Sequence, residues 1–143
     1  MELERRGTQR IRRGYAEDIY PKLSQSIIGC AMRGHSALGP GMLEAAYEAC
    51  LCHELARAEM SFRRQVPVPM KYREVNLDCG FRLDLVVENK AILELKAVDQ
   101  LLAIHDCQLL TYLRASGLHL GILINFNVAH LRHGIRRKVL MTP

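Results

Sequence analysis

Hydrophobic positions along the chain change period several times, and each change marks an element. Between residues 15 and 34, Ile19, Leu23, Ile27, Ile28 and Ala31 recur at three- and four-residue spacing, as on the apolar face of a helix. Pro21 marks where the regular helix starts and Gly34 is read as its stop. His35 to Gly41 is turn-like, and helical spacing resumes from Met42 to Ala58 through Leu43, Ala46, Tyr47, Cys50, Leu51 and Leu55. From Gln65 to Tyr72 the period drops to two, and Pro67 and Pro69 confine that strand to a sheet edge or an irregular course. After a break at Asn76 to Gly80, two alternating arms around Asn89 read as a hairpin. Asp99 to Ser116 is a helix with Asp99 as N-cap and Gly117 as stop. His119 to Phe126 looks like a strand buried on both faces. The expected order is α-α-β-β-β-α-β, followed by a basic tail.

The hairpin carries the chemistry. In its second arm Ile92, Glu94, Lys96 and Val98 alternate with Ala91, Leu93, Leu95 and Ala97, so Glu94 and Lys96 are neighbours on one face. A three-residue loop, Glu88-Asn89-Lys90, sets Asp84 opposite Glu94 and Arg82 opposite Lys96, whereas a two-residue loop turns Glu94 away. An odd-numbered loop is therefore predicted. Facing carboxylates repel, and a divalent cation such as Mg²⁺ or Mn²⁺, or the Lys96 ammonium, would offset the cost. The same pattern also suits a solvated face on which the acids pair with Arg82 and Lys96.

Length and composition change this picture little: 143 residues with 49% hydrophobic content suit one domain with a full core. The apolar runs fall short of the roughly 20 residues of a membrane span, so a soluble protein without a membrane partner is expected. Met1-Glu2-Leu3-Glu4 lacks the apolar core of a secretory signal, which points to the cytoplasm. Five cysteines, without a C-x-x-C pair, are read as reduced core hydrophobes. The net charge of +5 is concentrated at the ends, with +3 in residues 1–14 and +4 in residues 130–143. Residues 1–14 are accordingly an arm ahead of a single domain over 15–143. Basic ends suit a polyanion such as DNA, or form two solvated tails.

Two further clusters stand out. Glu44, among apolar neighbours on the second helix, either reaches water or meets a partner such as a metal, and Tyr47 projects from a neighbouring part of the same surface. On the later helix His105, Gln108 and Tyr112 follow three- and four-residue spacing down one face. The order of Asp84, Glu94-x-Lys96, an earlier helical glutamate and Gln108-x-x-x-Tyr112 resembles the PD-(D/E)xK nuclease superfamily, particularly its RecB-like branch. More narrowly, the segments Leu38 to Tyr47, Gln65-Val66-Pro67, Glu94 to Val98, Gln108 to Leu113 and Ile124-Asn125-Phe126 look like the bacterial GxxExxY proteins, over about residues 19–139.

The resemblance implies an α/β (α+β) fold with a restriction-endonuclease-like core, a mixed central sheet flanked by helices. It implies a nuclease that hydrolyses phosphodiester bonds, with DNA the expected substrate. Asp84, Glu94, Glu44 and the carbonyl of Leu95 would hold Mg²⁺, for which Mn²⁺ can substitute. Lys96 would orient or help deprotonate the attacking water. Gln108 and Tyr112 would contact nucleic acid or brace the site; helical spacing adds His105 to them, and Tyr47 joins from the earlier motif. Leu83 stands where the superfamily name has proline. A second reading keeps the fold as a nucleic-acid-binding or partner-binding module without turnover. A homodimer would suit a small domain that must cut both strands.

Overall fold

The computed structural model describes residues 19–141. Its elements are α1 (Pro21–Leu38), α2 (Glu44–Arg57), β1 (Phe62–Tyr72), β2 (Val75–Val87), β3 (Ala91–Lys96), α3 (Ala103–Ser116), β4 (Leu120–Asn125) and β5 (Ile135–Val139), with a 3₁₀ turn at Leu131–Gly134 before β5. One five-stranded sheet runs in the order β1-β2-β3-β4-β5. β3 and β4 are parallel, joined by the α3 crossover, and every other neighbouring pair is antiparallel.

The sheet separates two cores. On one face α1 and α2 bury Ile27, Ala31, Tyr47, Leu51 and Leu55 against Leu85, Val87, Leu93, Leu95, Ile122 and Ile124. On the other, Leu109 and Leu113 of α3 meet Val68, Leu83, Val86, Ile92 and Leu123. β3 keeps the predicted alternation, since Ala91, Leu93 and Leu95 face one core and Ile92 the other. The hairpin pairs Val87 with Ala91, leaving the three-residue loop that the parity argument requires. The mixed sheet between helical layers is the α+β, restriction-endonuclease-like core that the resemblance implied.

Several boundaries differ from expectation, each for a physical reason. Helix α1 runs through Gly34 to Leu38, because Gly34 is a packing position: a Cβ there would sit 3.0 Å from the Cys50 sulfur of α2. Asp99 is not the cap of α3, which starts at Ala103 after Leu102, and the Leu102 N–H donates to His105 Nδ1 at 3.0 Å. Leu102 is exposed, and the buried leucine beside it is Leu101. The break placed at 76–80 is strand, the chain turning instead between Tyr72 and Val75. Cys79 and Cys107 are exposed, so only part of the cysteine set is core; all five are free thiols.

The basic C-terminal stretch is not a tail. It forms β5 against β4, and its cations are engaged. Arg136 donates to Asp106 Oδ2 at 2.5 Å, Lys138 lies 3.3 Å from Asp106 Oδ1 outside hydrogen-bond geometry, and Arg137 donates to Ser24 Oγ and the Ile19 carbonyl. The N-terminal arm, 1–14, lies outside the described residues. No helix among the described residues is long and apolar enough to cross a membrane.

Candidate active site

The ladder between β2 and β3 stops at Leu85–Leu93, and the site begins where it stops. In an unbroken hairpin the Leu95 N–H would meet the backbone of Leu83; instead it donates to the Asp84 carboxylate, Oδ2, at 2.8 Å. The Asp84 N–H reaches back to Glu94 Oε1 at 3.3 Å. Side chains have thus replaced backbone partners on both strands. β2 also rotates here, for Leu83 packs in the α3 core and Leu85, two residues on, in the α1/α2 core. Opposite Asp84 on β1, between the pairs Arg64–Leu85 and Val66–Leu83, Gln65 has φ 51, a strained conformation for a residue with a side chain.

This divergence opens a cavity of about 290 Å³, lined by Glu44, Ala45, Glu48, Gln65, Asp84 and Leu95. Glu44 and Glu48, one turn apart on α2, enter from one face, and Asp84 from the sheet. Glu48 is buried and takes two hydrogen bonds of 2.8 Å, from Arg64 Nη2 and Gln65 Nε2, which fix the strained part of β1 against α2. Glu94, 6% exposed, is the most enclosed acid of the group. Lys96 is half-buried and makes no salt bridge among the described residues.

The electrostatics follow from burying like charges together. Burial, then the neighbouring Asp84 charge, pushes Glu94 up to about 8. Burial also raises Asp84, against the Leu95 N–H, which favours its ionised form. The interaction between the two carboxyl groups favours the ionised form of Asp84 and the protonated form of Glu94, so their titrations are linked. Glu44 is raised by burial and then by Asp84, with Lys96 opposing. Tyr112 is raised by burial, then by Glu94 and Asp84, which puts its phenol within the field of the same acids.

Among the described residues, no three acidic, histidine or cysteine side chains close into a ready cation cage. The donor chemistry nevertheless fits a hard divalent cation: a buried Glu94 and a half-buried Asp84 whose charges oppose each other, with Glu44 on the facing helix. The Leu95 carbonyl lies on the same strand edge as its N–H, toward Asp84, beyond the end of the ladder. A cation there would offset the repulsion between Asp84 and Glu94 and favour the ionised form of Glu94.

The remaining predicted residues are more dispersed. Tyr47 points into the core, stacked on Phe126 at 4.6 Å, and its hydroxyl donates to the Gly39 carbonyl at 2.5 Å while accepting from the Met42 N–H. It therefore fixes the turn that delivers Glu44. Tyr112 is half-buried against Phe81, Gln108 is exposed, and His105 accepts the Leu102 N–H at the start of α3. Arg82, expected opposite Lys96, is exposed and pairs with Pro67.

Three supporting residues have no site role in the sequence pattern, although Gln65 and Asn125 stand in its matched segments. Glu48 was signalled by its four-residue spacing from Glu44, and Gln65 by the Gln65-Val66-Pro67 segment. Asn125 clamps the chain just beyond Lys96, its amide accepting from the Val98 N–H at 3.0 Å and donating to the Val98 carbonyl at 2.9 Å.

A mixed sheet whose diverging strands present Asp, Glu and Lys in this order defines a nuclease-like class. The family model of the PD-(D/E)XK nuclease superfamily matches residues 21–138, and the chain belongs to that superfamily. No curated protein and no solved structure matches the chain significantly.

Proposed function

We propose that this chain is a divalent-metal-dependent nuclease of the RecB-like, GxxExxY kind, hydrolysing phosphodiester bonds in DNA. One observation carries the reading: the Asp84 and Glu94 carboxyls interlock where β2 leaves β3, beside Lys96 and facing Glu44. Asp84, Glu94, Glu44 and the Leu95 carbonyl would hold Mg²⁺, or Mn²⁺ in its place. When bound, the cation supplies a Lewis acid for the phosphoryl oxygen and a more acidic water.

The chain's own groups do the rest. Lys96, without an internal ion pair among the described residues, holds the attacking water and offsets charge on the phosphate. Glu48, by tying down Arg64 and Gln65, keeps the β1 side of the cavity in place. Tyr112, half-buried on α3, lies within the field of Glu94 and Asp84, and Gln108, one turn earlier and exposed, is available to nucleic acid.

The test is cleavage of end-labelled DNA with Mg²⁺, with Mn²⁺ and with EDTA. Lys96→Ala is expected to slow cleavage by about 10²- to 10⁴-fold, and Asp84→Ala to reduce it to background. Cutting that persists in both variants would place the activity elsewhere. That no three acidic, histidine or cysteine side chains among the described residues close around a point favours one second reading, a binding module without turnover. That reading expects salt-sensitive DNA binding and no products with either metal.

A further inference from the structure

Beyond the site, β1 and β2 continue as a two-stranded arm that lies over α3, with Val68 and Leu83 packed on Leu109 and Leu113. Between the arm and the helix is a second cleft, of about 400 Å³, lined by Pro69, Met70, Lys71, Phe81, Thr111, Arg114 and Ala115. Its volume is within the range of small-molecule pockets, roughly 300 to 1,000 Å³. Pro69, Met70 and the Phe81 ring make it apolar, and Met70 is left 38% exposed.

Two cations flank this apolar slot, Lys71 from β1 and Arg114 from α3. Neither makes a salt bridge among the described residues. A slot with an aromatic wall and uncompensated positive charge at its rim suits a ligand with a flat apolar face and an attached anion. A nucleotide unit has both. One side chain links the cleft to the acid site: the Phe81 ring lies 5.1 Å from that of Tyr112, whose phenol is in the field of Glu94 and Asp84.

We propose that this cleft receives an unpaired base of the strand entering the acid site, so that the substrate is single-stranded or frayed nucleic acid. The proposal rests on the nuclease reading above. A base stacked and paired within a duplex has no free face to offer the slot, so only an unpaired one enters without a prior unstacking cost. Lys71 and Arg114 then hold the flanking phosphates, which a DNA or an RNA strand supplies equally.

The experiment is fluorescence anisotropy in EDTA with a short labelled single strand, its blunt duplex, the same strand bearing abasic sites, and the RNA of the same sequence. The single strand is expected to bind tighter than the duplex. Removing the bases is expected to weaken binding by roughly 5- to 100-fold. Lys71→Ala with Arg114→Ala should lower single-strand affinity and flatten its salt dependence by about 0.7 per cation. Because Phe81 packs on Tyr112, the slot is better blocked by Ala115→Phe, which adds a ring and removes no core contact. It should bring the normal strand down to the abasic level and leave the abasic strand unchanged. Equal binding of normal and abasic strands, or a preference for duplex, would overturn the base subsite even if the cleavage assay succeeds. No binding and no cleavage of any strand would remove both readings.

Discussion

Glu94 is the residue whose environment departs furthest from that of an ordinary side chain, and its consequences reach stability as well as catalysis. Its folded-state value of about 8 lies above that of a free carboxyl, so the native state holds the proton more tightly than the unfolded chain. The associated stability is fully present below the ordinary carboxylate range and is lost as pH rises toward 8. In EDTA, the melting temperature of the wild type should therefore fall between pH 5 and pH 8. Glu94→Gln should abolish most of that fall, since its amide can donate to Asp84 and accept from the Asp84 N–H without ionising. At pH 8 it should be the more stable protein by a few kcal/mol, on the order of the linkage cost it removes, although it loses cleavage. Melts across this range test the point; parallel curves for the two proteins would mean that Glu94 is not held protonated. Mg²⁺ should reverse the wild-type loss at pH 8 and have little effect on the variant.

At the level of the element, Gly80 governs how the β1–β2 arm bends. A Cβ at this position would meet the Val68 carbonyl oxygen at 2.5 Å, and the ladder shifts register between Val68 and Met70 beside it. Because the obstructing atom is backbone, Gly80→Ala should cost about 1 to 3 kcal/mol, as overpacking does, read as a lower urea midpoint. An unchanged midpoint would show that the arm tolerates displacement. The same arm shows where sequence reading works and where it fails. Alternation in β3 was legible because both faces of a central strand obey period two, and this also fixed the parity of the Glu88–Lys90 loop. Nothing in the alternation of β2 records its rotation at Asp84, which depends on the facing Gln65 and on Glu48 across the cavity. The three acids could be named from their order in the chain. The raised Glu94 could not, because it follows from burial and from the neighbouring Asp84 where the ladder ends at Leu85.

For the molecule as a whole, the decisive difference between sequence and structure lies in where the positive charge goes. Arg136, Arg137 and Lys138 look like a phosphate-binding tail only while Asp106, some 30 positions earlier, is out of view. In the fold they tie β5 to α3 and to the start of α1. They also complete the sheet, because β4 is buried at all six positions and would otherwise present an open edge. Substituting Arg136 with Ala should thus act on stability, by about 1 to 2 kcal/mol, between the values for exposed and buried ion pairs. The slope of log Kd against log salt for DNA should stay at its wild-type value, whereas a cation that contacts phosphate would take about 0.7 to 0.9 from it. Urea denaturation and a salt titration on one preparation separate the outcomes. A flatter slope at undiminished stability would return β5 to the nucleic-acid surface. A steady slope with a lower midpoint leaves substrate capture to the cations that have no internal partner among the described residues, Lys71 and Arg114 among them.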